Sequence, residues 1–307
     1  MKVLITGAGG NLGRALVPLL IEQGHTPRLM DSRPVDLDLP GEFILGDVRN
    51  PQDMQRAVEG VDAIVHAAAL HGIHVGKWTP QDFWAINVTG TFNVFEAARE
   101  HGIKRLVLCS TMGVYGQSAT PPPDAWGVVT EDLPLLPGDV YGLSKRLCEE
   151  MGQYYSRRWG VTTVALRLGM FVPEGSLERY GFRLLFGGVD DRDVAQAVLR
   201  SLTYQPEGGF DAFNIMAAVP FTATDAPALQ QDTAGVLARY YPGVLELAAQ
   251  HYLDLSKLIW GRTIWSVAKA QRLLGYNPHY NFGGFLRALA SGDTTYYPFV
   301  GLPWWGV

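Results

Sequence analysis

Short apolar runs recur along the chain, separated by longer segments whose apolar residues fall three and four apart. Val3, Leu4 and Ile5 form the first run, of a length suited to a strand covered on both faces. Leu12, Leu16, Leu19 and Leu20 follow at helical spacing. The alternation continues with strands predicted over 26–31, 43–45, 62–66, 105–110 and 161–168, and helices over 51–59, 80–100 and 139–158. It predicts an α/β fold built on a Rossmann-type, doubly wound parallel sheet, with ligands at the carboxyl ends of the strands. Asp190 to Tyr204 reads as a further helix and Phe210 to Met216 as a strand returning to the sheet. The expected division is a sheet domain over 1–167, joined by 190–216, and a smaller substrate-binding region over 168–307, closed by helices at 268–275 and 282–289. Pro18, inside the first helix, predicts a kink or an unpaired carbonyl.

The first strand runs into Thr6 and a turn in which Gly7, Gly10 and Gly13 are three apart, with Asn11 and Leu12 opening the helix. Glycine permits positive φ and close backbone approach, so such a turn can cradle a pyrophosphate at the helix N-terminus. Gly7, Gly10, Asn11, Leu12 and Gly13 are therefore candidate cofactor-binding residues. The second strand ends at Asp31, about where a carboxylate that accepts from the ribose hydroxyls of a bound dinucleotide belongs. Asp31, with Ser32 beside it, favours NAD; Arg33 could pair with the 2′-phosphate of NADP. Asp47 and Val48 follow the third strand and Ala67, Ala68 and Ala69 the fourth, placing an acid for an adenine amino group and small residues beneath the ribose and pyrophosphate.

The chemistry lies further on. The strand ending at Ser110 runs into Thr111, and thirty residues later come Tyr141 and Lys145. Four residues is close to one helical turn, so Tyr141 and Lys145 share a face. A tyrosine hydroxyl titrates near 10 and serves as a base at neutral pH only with a cation beside it, a part Lys145 can play. Thr111 would hold the substrate oxygen while Tyr141 takes its proton and hydride leaves to NAD. His71, His74 and Trp78 occupy a loop expected to edge the substrate pocket, with His71 the nearest candidate contact. His66, His71 and His74 have no carboxylate or cysteine at a ligand spacing, so no metal is expected.

A chain of 307 residues, 47% hydrophobic, can bury a large core, and a net charge of −5 without a basic block argues against nucleic acid or an anionic membrane. No apolar run is long enough to span a bilayer, and a soluble cytoplasmic protein is expected. Cys109 and Cys148 read as reduced, buried thiols.

Over nearly its whole length the sequence resembles the extended short-chain dehydrogenase/reductases, the NAD-dependent epimerase/dehydratase family. The matching stretches are TGAGGNLG at 6–13, Asp31, Asp47, HAAA at 66–69, NVTGT at 87–91, STMGVYG at 110–116, YGLSK at 141–145, LRLG at 166–169 and Asp191 to Val194. The resemblance implies that Thr111, Tyr141 and Lys145 are the catalytic trio, that Ser110 and Asn87 belong to the cofactor site, and that the chain forms a homodimer through the helices at 80–100 and 139–158. The 4,6-dehydratases of that family carry an Asp-Glu pair where this chain has Met112 and Gly113, which cannot move protons and are left as substrate contacts. Met170 stands where nucleotide-sugar epimerases usually carry an asparagine. RLGMFVPEG at 167–175 is similar to uronate dehydrogenases, in which an arginine in this stretch holds the sugar carboxylate; Arg183 is the candidate here.

The reading that follows is an NAD-dependent oxidoreductase acting on a secondary hydroxyl of a small-molecule sugar or sugar derivative, as a dehydrogenase or as an epimerase working through a keto intermediate. A nucleotide-sugar 4-epimerase with tightly held NAD is one alternative. A non-catalytic NAD-sensing protein on the same fold is another, although it would have no use for Thr111, Tyr141 and Lys145 together. Asp225, Asp232, His251, Trp260 and Arg262 are further possible contacts, and the aromatic tail at 296–307 a cover for the core or for a partner subunit.

Overall fold

The computed structural model describes residues 1–34, 39–255 and 262–302. Val3 and Ile5 of β1 (Lys2–Thr6) enter one apolar core and Leu4 another, the two-residue period of a strand covered on both faces. After β1 come α1 (Asn11–Glu22), β2 (Thr26–Asp31), β3 (Glu42–Leu45), α2 (Pro51–Val58) and β4 (Ala63–His66). α3 (Pro80–Phe83), a π-helical stretch over Trp84–Thr89 and α4 (Gly90–Glu100) form one continuous helical segment before β5 (Arg105–Thr111). Next are β6 (Gly127–Val129), α5 (Val140–Trp159), β7 (Thr162–Leu168), α6 (Leu177–Arg183), α7 (Asp191–Ser201) and β8 (Phe210–Ile215). The chain continues with α8 (Ala226–Gln231), α9 (Thr233–Tyr240), α10 (Val244–Gln250), β9 (Thr263–Trp265), α11 (Ala268–Leu274) and α12 (Phe282–Ser291).

Seven strands pair in the order β3-β2-β1-β4-β5-β7-β8, every neighbouring pair parallel. The chain leaves β1 toward β2 on one side and returns to β4 on the other, so Thr6 lies between Met30 and His66. A crevice opens beyond the carboxyl ends of the strands at such a reversal. α1, α7 and α11 cover one face of the sheet, and α2, α4 and α5 the other. α1 runs unbroken through Pro18, which lies on its exposed side.

The short strands β6 and β9, which periodicity alone did not predict, pair in parallel from Gly127↔Thr263 to Val129↔Trp265. A further apolar core lies outside the sheet and gathers Trp126, Phe186, Phe221, Leu237, Phe282 and Phe285. Trp126 reaches it from ahead of α5, whereas β8 and Trp265, Ala270 and Leu274 belong with the sheet. Residues on both sides of position 167 thus contribute to the sheet and to the outer core. Trp260 and residues 303–307 of the tail lie outside the described residues.

Candidate active site

The first amides of α1 have no side-chain cap: Gly10 stands at the N-cap and the first turn holds no acid. Those N–H groups face a cavity of about 790 Å³ that runs along the carboxyl ends of the strands and is lined by Gly7, Gly10, Asn11 and Leu12. Gly7 sits at φ 69°, and a Cβ there would come within 2.7 Å of the Ala68 backbone, so only glycine lets the two loops approach. Gly13 does not line the cavity; its missing side chain lets α1 pack on Ala8, whose carbonyl oxygen would be 1.9 Å from a Cβ. It shapes the cradle from behind the cavity wall.

Asp31 closes the end of β2, where its Oδ2 accepts from Gly9 N at 3.0 Å and its Oδ1 from Arg33 N at 3.3 Å. Ser32, Arg33, Asp47 and Val48 line the cavity beside it, and Ala67, Ala68 and Ala69 line its floor. The Asp47 carboxylate is gripped by Arg49, whose Nε lies 3.0 and 2.9 Å from its two oxygens, and that bond holds its pKa below the usual carboxylate range. His66, beneath the floor, is buried between Thr6 (2.7 Å) and Thr91 (2.9 Å). Burial and then the Lys145 charge push its imidazole down to about 3, so it is a neutral strut.

At the other end of the cavity stand Thr111, Tyr141 and Lys145. Asp139 caps α5 by accepting from Gly142 N at 2.7 Å, and Gly160 in the left-handed region ends it, fixing the register that puts Tyr141 and Lys145 on one face. Lys145 is 2% exposed, and among the described residues its ammonium makes no hydrogen bond or ion pair. A buried cation of this kind on a cavity wall needs ligand oxygens. Burial pushes the Tyr141 phenol above its ordinary value, against a hydrogen bond with Thr111 that lowers it. Thr111 Oγ1 in turn accepts from Gly113 N at 3.1 Å. An uncapped helix N-terminus, a carboxylate at the end of β2 and an orphan ammonium beside a tyrosine are together what a dinucleotide requires.

The structure brings His71 to this end, its ring centroid 6.1 Å from that of Tyr141. Although His71 opens onto the cavity, the walls around its ring desolvate it, and this, followed by the Lys145 and His74 charges, pushes its imidazole down to about 3. Met112 also lines this end, whereas Gly113 does not.

Two further expected contacts are relocated. Asn87 lies away from the cavity, its amide fully used: Nδ2 donates to Leu70 O (2.9 Å) and Ser144 Oγ (2.8 Å), and Oδ1 accepts from Leu70 N (2.8 Å). It ties the loop that carries His71 to α5 and positions the site from behind. Arg183 is buried outside the cavity, its guanidinium donating to Val172 O and lying 3.2 Å from Glu174 Oε1. It braces the loop after β7 and is not placed to hold a ligand. Ser110 lines the wall, but its hydroxyl is turned away to Glu149. Asp225 is occupied by Arg239 and Tyr240.

Leu168 to Pro173, singled out in the sequence only for the resemblance they carry, line the cavity, as do Arg49, Ile73, Ile86 and Cys109, which sequence reasoning missed. The place of Leu168 to Pro173 was within reach, because residues just beyond a sheet strand face the crevice. Cys109 and Cys148 are both buried and free. Among the described residues no helix is long and apolar enough to cross a membrane.

A model of the NAD dependent epimerase/dehydratase family matches residues 3–180. The chain is similar to the uronate dehydrogenase of Pseudomonas syringae pv. tomato, 30% identical over 74% of this chain and 90% of that protein. It is also similar to the UDP-glucose 4-epimerase of Corynebacterium glutamicum, 26% identical over 83% of this chain and 71% of that one. A solved short-chain dehydrogenase/reductase superfamily protein from Agrobacterium tumefaciens, with bound NAD, shares the fold at a TM-score of 0.67 and 24% identity, over 95% of this chain and 96% of that one.

Proposed function

The chain belongs to the NAD dependent epimerase/dehydratase family, and from that premise we propose that it is a sugar dehydrogenase, oxidising a secondary hydroxyl and releasing the carbonyl product. NAD is the cofactor, and it supplies the acceptor for the hydride that leaves the carbinol carbon. The observation that carries the assignment is the meeting of Thr111, Tyr141 and the unpaired Lys145 on one cavity wall. Thr111 Oγ1 orients the substrate oxygen. Tyr141 Oη takes the hydroxyl proton as the C–H bonding pair departs, leaving a C=O double bond. Lys145 stabilises the phenolate that burial alone disfavours and bonds to ribose hydroxyls of the cofactor. Gly7, Gly10, Asn11 and Leu12 hold the pyrophosphate, Asp31 and Ser32 the adenosine ribose, and Asp47 and Val48 the adenine. Ala67 to Ala69 pass beneath them.

The sheet with β8 serves as the NAD-binding unit and the outer core as the substrate-binding one. Trp84, Phe92 and Leu143 are 55%, 48% and 43% exposed on the adjacent α4 and α5 segments, which favours a homodimer across that face. The absence of a basic block and of a spanning helix among the described residues supports a soluble, cytoplasmic enzyme.

The test is absorbance at 340 nm with purified protein and NAD across free sugars, uronates and nucleotide sugars. Steady NADH accumulation with one sugar is expected. Conversion of a nucleotide sugar into its epimer without net NADH would replace the dehydrogenase with a 4-epimerase, and NAD binding with no turnover of any sugar would favour a sensor.

A further inference from the structure

We infer that the sugar this site takes is uncharged, carrying neither a carboxylate nor a diphosphate; the inference rests on the function proposed above and narrows it. It is carried by where the cationic side chains stand. Among the described residues two arginines line the cavity, Arg33 after β2 and Arg49 after β3, both at the end away from Tyr141 because β2 and β3 lie beyond β1 in the sheet. Arg49 is already committed to Asp47. Lys145 lies beside Tyr141 and is committed to the reaction.

Around the reacting end the cavity is lined, among the described residues, by Met112, Met170, Phe171 and Val172 and by His71, His74 and Trp78. Of the arginines near this wall in sequence, Arg167 is locked to Glu149, Arg179 does not line the cavity, and the guanidinium of Arg183 is turned into the protein. Besides Val172 O and Glu174 it reaches Val189 O at 3.4 Å, and it stacks with Tyr180 and Tyr297. A carboxylate or diphosphate seated here would lose its water and, among the described residues, meet no side-chain cation beyond Lys145, which the reaction uses, and His74, whose Nδ1 already accepts from His71 N. An uncharged sugar loses only hydroxyl hydration, and the site returns it through Thr111, Tyr141 and His71. His71 suits that part as a neutral ring, because desolvation keeps the imidazole from serving as a cation. Trp78 and Phe171 offer the apolar faces on which the C–H surface of a sugar ring packs.

The experiment compares ligands that differ only in charge, galactose against galacturonate and glucose against glucuronate, with UDP-galactose as the diphosphate probe. Binding to the NADH-loaded protein is measured by calorimetry and turnover by NADH formation with NAD. The uncharged member of a pair should bind and turn over at least about tenfold better than its uronate. Met170→Arg, which adds a guanidinium to this wall, should raise uronate binding by about tenfold or more. A uronate or UDP-galactose that binds the wild-type protein as tightly as the uncharged sugar, or more tightly, would overturn the inference; so would failure of every probe to bind. If an uncharged sugar binds best but none is oxidised, the proposed function falls and the inference about charge stands.

Discussion

Ser110 Oγ donates to Glu149 Oε1 at 2.5 Å, tying the residue before Thr111 on β5 to the residue one helical turn beyond Lys145 on α5. Tyr141, Lys145 and Glu149 are four apart and share a helix face. The two elements that carry the reacting groups are therefore pinned together directly behind them. Arg167 of β7 locks the carboxylate from its other side, with Nη2 2.8 Å from Oε2 and Nε 3.1 Å from Oε1, and its Nη1 donates to Tyr115 at 2.8 Å. Both side chains of the ion pair are buried.

Removing one member of such a pair leaves the other as an uncompensated charge, a loss of roughly 3–5 kcal/mol. Glu149→Ala should therefore lower the melting temperature sharply. Glu149→Gln keeps the shape but also removes the charge opposite Arg167, so it should lower the melting temperature as well as loosen the spacing of Thr111 and Tyr141. It should reduce kcat by about 10- to 100-fold, because a misplacement near 1 Å is enough for that. NADH affinity, read by fluorescence titration, should stay close to wild type.

Asp31 decides between the two nicotinamide cofactors. Its carboxylate repels a 2′-phosphate, and Arg33 stands two residues away on the same cavity wall. Asp31→Ala should cut kcat/KM for NAD by about tenfold and raise it for NADP by a similar factor, each corresponding to about 1.4 kcal/mol. Steady-state kinetics with both cofactors measure the switch.

The pH dependence of oxidation follows from the environment of Tyr141. Burial raises its pKa, and only the deprotonated form can accept the substrate proton. The rate should accordingly rise with pH through the neutral range and into the alkaline. Lys145→Met removes the cation that shares a helix face and the cavity wall with Tyr141, so the rise should move to higher pH. A profile of kcat/KM against pH for the two proteins tests both statements.

The sheet was legible because each of its elements is local: a run such as Val3 to Ile5 or Leu106 to Cys109 is buried on both faces whatever the tertiary context. β6 and β9 were not, since strands of three residues carry too few positions for a period and pair across more than 130 residues of chain. Within the candidate site, the glycine turn, Asp31 and the Tyr141–Lys145 spacing were legible because backbone geometry dictates those residue types. Asn87 and Arg183 show where sequence stops short. Each is a polar residue near the site in sequence, but whether its side chain faces a ligand or braces a loop depends on the partners the fold delivers, Leu70 and Ser144 for one, Val172 and Glu174 for the other.

The central claim, that Tyr141 is the base of a hydride-transfer site, is tested most directly by Tyr141→Phe, a change that removes one oxygen from a half-buried ring. With NAD and the best sugar substrate, NADH formation should fall by about 10²- to 10⁴-fold, the range for a lost general base, while NADH binding stays within about threefold of wild type. NADH formation by the phenylalanine variant at the wild-type rate would contradict the account.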